Sequence, residues 1–403
     1  MKRSLVSVTV LLAALALMPA LAQQPDFRVQ PITSSKFVRQ GARAIPNQYI
    51  VVLNSDAKAV GDRAALAATG AFSLTARFGG AVTEVYGHAL NGFAAQMSED
   101  EAIRLSQDPR VAFVEEDSIM EAVVTQNNPP WGLDRIGQRT LPLNGAYSYT
   151  TTGSGVNVYI IDTGIRRTHT QFGGRAFAGF DAIGDGQNTN DCHGHGTHVA
   201  GTVGASTYGV AKSVRLFAVR VLSCSGSGSN SGVIAGVNWV TSNHIDPAVA
   251  NMSLGGGVST ALDNAVRNSI AAGVTYSIAA GNSNTNAANS SPARVGEAIT
   301  VGSSTRTDVR SSFSNFGSVV DIFAPGSSIL STWRTSDTAT ATLSGTSMAA
   351  PHVAGVAARF LQSNPGASPA AVRTAVVGQA TLNRLNGIPS GTANRLLFWS
   401  SSR

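Results

Sequence analysis

Hydrophobic and polar positions change rhythm once along the chain. Between residues 47 and 122, short apolar runs and polar helical stretches follow in the order strand, helix, strand, strand, helix, strand. The first strand is the β-branched run Tyr49-Ile50-Val51-Val52-Leu53, closed by Asn54-Ser55. Helical stretches are predicted at residues 56–68 and 99–107. The second opens with Ser98-Glu99-Asp100-Glu101, in which the serine and the last glutamate can satisfy the free amides of a helix start. Val111-Ala112-Phe113-Val114 closes the unit ahead of the acidic Glu115-Glu116-Asp117. The pattern predicts a small two-layer α/β module. Residues 123–130, with two terminal prolines, read as an exposed linker.

From Trp131 onward, apolar strands alternate with small-residue helices. Strands are predicted at 156–161, 216–222, 248–252, 274–279 and 299–301, and helices at 198–203, 233–240, 261–271 and 348–361. Such alternation predicts a largely parallel sheet covered on both faces. In sheets of that kind functional groups gather at the carboxyl ends of the strands.

Residues 1–22 fit neither rhythm. Lys2 and Arg3 precede an apolar stretch over 5–17, and Ala20-Leu21-Ala22 supplies the small-x-small pattern of signal-peptidase cleavage, expected after Ala22. The apolar stretch is shorter than the ~20 residues that span a bilayer, and no later one qualifies, so no membrane anchor is expected. A secreted, extracellular protein with a bacterial-type signal peptide follows. Its two cysteines, Cys192 and Cys224, are then disulfide candidates, a bond worth about 3–4 kcal/mol if unstrained.

Composition narrows the function class. Of 403 residues 43% are hydrophobic and only 13% charged, which excludes a disordered chain. Residues 1–123 carry 11 basic and 12 acidic groups, whereas 124–403 carry 18 and 11, all the basic ones arginine except Lys212. The basic residues are scattered with no run longer than two, so no nucleic-acid partner is expected.

Three segments carry chemistry. Asp162 ends a predicted strand in Ile161-Asp162-Thr163-Gly164. His193-Gly194-His195-Gly196-Thr197-His198 opens a helix, and Ser344-Gly345-Thr346-Ser347-Met348-Ala349 runs into another. Each alone has a plain reading, as a helix cap, a metal-ligating histidine group or an N-cap serine. Together they supply what a hydroxyl nucleophile needs, a base to take its proton and a carboxylate to orient that base. No Asp or Glu follows Ser347, so the Ser–Asp–His order of α/β-hydrolases is impossible with this nucleophile. The remaining order, Asp162, His195, Ser347, is the chain order of the subtilisin triad.

On these motifs the sequence resembles the subtilisin-like serine proteases across about residues 131–403, nearest the proteinase K and aqualysin branch. The resemblance implies an α/β, three-layer subtilisin-like fold preceded by a small α+β, ferredoxin-like propeptide domain. It divides the chain into a signal peptide (1–22), a propeptide (23–123) and a peptidase domain (124–403), with processing near Val123 and Val124. It implies a broad-specificity endopeptidase made as a zymogen, with protein and peptide substrates, its own propeptide as intramolecular inhibitor, and a monomeric state. Ser347 is then the nucleophile, His195 the base and acid, Asp162 its orienter and Asn282 the oxyanion donor. Gly226, Ser227 and Gly228 would bind substrate backbone, while Ser253, Leu254 and Gly255 face Ala279, Ala280 and Gly281 across the primary pocket. Cys192 and Cys224 fall where aqualysin-like members form a disulfide. A structural Ca²⁺ is implied at Asp321 with the carbonyls of Gly296 and Ala298, and no organic cofactor. Two rival readings remain: a binding scaffold on an inactive protease fold, and a metal-dependent hydrolase built on His193, His195 and His198.

Overall fold

The computed structural model describes residues 36–41, 44–54, 63–119 and 123–400. The expected signal peptide lies outside the described residues. The chain divides into two compact units, Met1–Met120 and Glu121–Arg403.

In the first unit the elements are β1 (Phe37–Val38), β2 (Ala44–Leu53), α1 (Arg63–Phe78), β3 (Ala81–Tyr86), β4 (Gly92–Gln96), α2 (Glu99–Ser106) and β5 (Val111–Ser118). The sheet order is β1-β5-β2-β4-β3, antiparallel except for the short β1–β5 pair. Helix α1 runs to Phe78 rather than 68, and the expected residues 56–62 lie outside the described ones. Thr69-Gly70 weakens local helix propensity, but the stripe Ala67, Ala71 and Leu74 is wholly buried and carries the helix on. At α2 the capping box forms as the sequence predicts, with Ser98 and Glu101 bonded reciprocally.

The second unit contains β6 (Val124–Asn127), α3 (Trp131–Ile136), β7 (Ala146–Tyr149), β8 (Asn157–Asp162), β9 (Ala176–Asp181), α4 (His195–Gly204), β10 (Arg215–Arg220), α5 (Asn230–Asn243) and β11 (Ala248–Met252). After these come α6 (Thr260–Ala271), β12 (Thr275–Ala279), β13 (Ile299–Ser304), β14 (Ile322–Pro325), β15 (Ile329–Thr332), β16 (Thr340–Leu343), α7 (Thr346–Ser363), α8 (Pro369–Gly378), β17 (Thr381–Leu382) and β18 (Arg395–Leu396). The expected linker is in part a strand: β6 pairs antiparallel with β7 while Val124, Thr125 and Asn127 stay exposed. A strand held by backbone bonds and by the polar side chains of Thr125 and Gln126 leaves no apolar pattern to read.

Nine strands form the central sheet in the order β17-β18-β14-β13-β12-β11-β8-β10-β9, all parallel except the β17–β18 pair. Alternation along β8 shows how it is covered. Val158 and Ile160 pack with the α4 and α7 side chains, whereas Tyr159 and Ile161 pack with those of α5 and α6. The first long strand, β8, thus lies between β11 and β10, where strand order reverses, and its carboxyl end carries Asp162.

Candidate active site

Three element ends converge on the sheet's carboxyl edge. Asp162 is the last residue of β8 and is fully buried. Its two oxygens accept from His195 Nδ1, the first residue of α4, at 2.8 and 3.0 Å, and one of them also accepts the Thr163 amide at 2.7 Å. A carboxylate can only accept, so the imidazole proton sits on Nδ1 and Nε2 is left as a base. Burial pushes the His195 imidazole down. The charge and hydrogen bond of Asp162, with the charge of Asp191 behind them, more than offset this, so the ring titrates above its ordinary value. The side chain remains 20% exposed, which leaves it open to a ligand.

Close approach of α4 to β8 depends on Gly196, where a Cβ would lie 2.2 Å from the Gly164 carbonyl oxygen. Asp191, which the sequence reading did not single out, ties the region together. Its carboxylate accepts from the Thr163 hydroxyl, the His193, Gly194 and Thr197 amides and the Thr197 hydroxyl, at 2.6–2.9 Å. One buried anion thereby joins the end of β8 to the first turn of α4. Its only sequence signal is an Asp placed to cap the turn before a helix.

Ser347 is the second residue of α7. Pro351 brings no N–H to that helix, so the Ser347 carbonyl, four residues back, has no intrahelical donor. The Ser253 hydroxyl fills the gap at 2.8 Å, and the Ser347 hydroxyl donates in return to the Ser253 carbonyl at 3.1 Å. The Ser253 hydroxyl itself accepts from Asn251 Nδ2 at 2.8 Å. The nucleophile candidate is therefore held against the segment after β11.

Asn282 follows β12. Its Oδ1 accepts from the amide and the hydroxyl of Thr346 at 2.8 and 2.9 Å, which fixes the carboxamide and leaves Nδ2 as the available donor. Asn315, also not foreseen, shapes that loop. It donates to the Ala280 carbonyl at 2.9 Å and accepts the amides of Ser283 and Thr285 at 3.1 and 3.0 Å.

Two adjoining cavities open on these groups. One, of about 420 Å³, is lined by His193, His195, Gly226, Ser227, Gly228 and Ser253 among others. The second, of about 350 Å³, is lined by Ala279, Ala280, Gly281, Asn282, Thr346 and Ser347. Leu254 and Gly255 line both. Every residue expected to bind substrate thus lies on one of two contiguous cavities that also hold His195, Ser347 and Asn282.

The three histidines do not converge. Nε2 of His198 faces the carbonyls of Ile329 and Ala341 at 3.0 and 3.1 Å, and burial pushes its pKa down to about 4. That commits it as a neutral donor to the β15–β16 hairpin and removes it from any shared ion with His195. Cys192 and Cys224 are bonded to each other and join the approach to α4 to the cleft rim at Ser225. At the expected calcium ligands, Asp321 accepts the Thr300 amide at 2.9 Å and pairs with Arg373 Nη2, while Arg373 Nε donates to the Ala298 carbonyl at 3.2 Å. A guanidinium therefore spans two of the three oxygens assigned to the ion.

The arrangement is a hydroxyl, an imidazole with a free basic nitrogen, an orienting carboxylate and a fixed amide donor, set along a groove. Comparison with known proteins finds a family for each unit. The model described as Subtilase family matches residues 153–394, and that described as Peptidase inhibitor I9 matches residues 48–122. The extracellular serine proteinase of Thermus sp. (strain Rt41A) is 52% identical over 89% of this chain and 91% of its own length. The cuticle-degrading protease of Metarhizium anisopliae is 42% identical over 96% and 98%. The crystal structure of a cold adapted subtilisin-like serine proteinase aligns with a TM-score of 0.66 and 56% identity, covering 67% of this chain and 98% of that one.

Proposed function

The chain belongs to the subtilase family, and from that premise we propose that it is a secreted serine endopeptidase, made as a zymogen, that cleaves peptide bonds through an acyl-enzyme on Ser347. The observation that carries the reading is the bidentate seat of His195 on buried Asp162, which leaves Nε2 basic on a cavity that shares Leu254 and Gly255 with the one Ser347 lines. With substrate in the groove, the Ser347 hydroxyl leaves the Ser253 carbonyl and gives its proton to His195 Nε2 as the oxygen attacks the scissile carbonyl. His195, held as an imidazolium by Asp162, then returns that proton to the leaving amine. Water repeats the sequence to release the acid.

The developing oxyanion is met by Asn282 Nδ2 and by the Ser347 amide, a first-turn N–H that has no carbonyl within α7. Replacing Asn282 by Ala is expected to lower kcat by about 10²–10³ with little change in KM, a range measured on subtilisin itself. Steady-state kinetics on one peptide check it. A matched rise in KM at constant kcat would assign Asn282 to ground-state binding instead.

The inhibitor-type N-terminal unit accounts for synthesis as a zymogen, with processing near Val123 and Val124. Subtilisins in general carry structural calcium, and here the ligands proposed are the Asp321 carboxylate and the carbonyls of Gly296 and Ala298. An oxygen set suits a hard cation, but the Arg373 guanidinium holds two of its members, so calcium would have to displace that side chain. Bound calcium would supply rigidity, not chemistry.

One experiment tests function and metal together. A serine-directed phosphonylating reagent should abolish casein hydrolysis and add a single label to the peptide containing Ser347. A chelator should leave the initial rate unchanged yet lower the melting temperature. Loss of the initial rate to the chelator, with no label on Ser347, would favour the metal-dependent hydrolase. A melting temperature that the chelator does not move would leave Arg373 as the cation of the Asp321 site.

A further inference from the structure

We propose that His193 is a specificity-determining residue that favours substrates carrying an acidic side chain close to the scissile bond. The inference rests on the endopeptidase reading and names a substrate preference for that same cleft. His193 stands two residues before His195, and its backbone is held from both sides. Its amide donates to Asp191 at 2.9 Å, and its carbonyl accepts from Arg334 Nε at 2.8 Å. The ring is oriented as well, because Nδ1 accepts the His195 amide at 3.3 Å and the two imidazoles meet edge to face with centroids 6.3 Å apart.

The tautomer follows from that bond. With Nδ1 accepting, the neutral ring carries its proton on Nε2. Nε2 lies against Gly226 on the cleft rim, where a Cβ would stand 2.9 Å from it, and it has no hydrogen-bond partner among the described residues. His193 and Gly226 line the same 420 Å³ cavity as the catalytic imidazole. A fixed donor therefore faces the groove beside the reacting groups.

The surrounding charges decide which acceptor it selects. Neither cavity is lined by an Asp or a Glu, and the ionisable side chains on their walls are the two imidazoles. The carboxylates behind the walls are already engaged, Asp191 by five donors, Asp162 by His195 and the Thr163 amide, and Asp185 by Arg220, and the Arg334 guanidinium adds positive charge behind the His193 carbonyl. A substrate carboxylate thus meets donors with no competing anion. A hydrogen bond to a charged acceptor is about twice as strong as one to a neutral amide, so Asp should outrank its isostere Asn.

The test uses fluorogenic peptides identical except for Asp, Asn or Lys, scanned through the three positions on either side of the cut. Wild-type enzyme should cleave the Asp member about tenfold faster in kcat/KM than the Asn member at one of these positions. In His193→Asn, whose side-chain oxygen can still accept the His195 amide, that ratio should fall to near one. In His193→Asp it should invert in favour of Lys. The ratio within each variant is read independently of its absolute rate. A wild-type ratio near one, or an acidic preference that survives in His193→Asn, overturns the proposal. Failure to cleave any peptide overturns it together with the endopeptidase reading.

Discussion

Ser347→Ala is expected to lower kcat on casein or a peptide by about 10⁶ and to leave the precursor whole, where the native chain sheds its N-terminal unit. The magnitude is that measured when the subtilisin serine is removed. The structure adds a reason to read the loss as chemical. Alanine keeps the Ser347 carbonyl and its bond from the Ser253 hydroxyl, so the Pro351 gap in α7 stays filled. What disappears is the donor to the Ser253 carbonyl, a bond of about 0.5–1.5 kcal/mol against a typical domain stability of 5–15. The variant should therefore fold. An unprocessed precursor has a second reason for silence, since its inhibitor-type unit is still attached. Trimming the variant with a trace of native enzyme, then inhibiting that enzyme, separates the two. A trimmed Ser347→Ala protein that hydrolyses casein at the native rate would place the nucleophile elsewhere and restore the scaffold or metal readings.

Much of this site was legible because its chemistry lies in short segments whose order is diagnostic. Asp162 ends an apolar run that only burial explains, and His195 and Ser347 stand at the starts of small-residue helices. The supports were less legible. Asp191 is one acidic residue in a polar loop; four of its five donors lie within six residues of it, and the fifth, the Thr163 hydroxyl, reaches it only in the fold. Asn315 shapes the oxyanion loop from 33 positions away along the chain, a relation that local patterning does not encode. The Ser253–Ser347 exchange becomes predictable only once Pro351 is placed inside a helix that starts before Ser347. At Asp321 the resemblance points to a cation, but the local pattern does not announce that α8 brings an arginine to the same oxygens. Among the elements missed, β6 and α8 have exposed faces that dilute periodicity, whereas β14 and α3 are buried but only four and six residues long.

The second large effect is expected at Asp162. Asp162→Asn should lower kcat/KM by about 10⁴, the loss known for the same change in a Ser–His–Asp protease. Here the direction follows from three bonds. Oδ1 accepts the Thr163 amide at 2.7 Å, so an asparagine places its carbonyl oxygen there and its NH₂ at the Oδ2 position, 3.0 Å from His195 Nδ1. The carbonyl oxygen stays 2.8 Å from Nδ1, so the NH₂ beside it either crowds an N–H or donates to a bare nitrogen; in the second case the ring proton moves to Nε2 and the nitrogen beside the cleft cannot accept from Ser347. The side chain is isosteric and its other bond is kept, so the fold should survive. The pH profile supplies a second readout with a definite sign. His195 titrates above its ordinary value because Asp162 outweighs burial, so the native acid limb of kcat/KM should lie above the ordinary imidazole pKa of about 6.5. Removing the carboxylate's charge leaves burial as the larger influence, and the residual activity of Asp162→Asn should have its acid limb displaced to lower pH. A loss of less than tenfold with an unmoved limb would mean that Asp162 neither orients nor charges His195, and the geometry at the end of β8 would need another explanation.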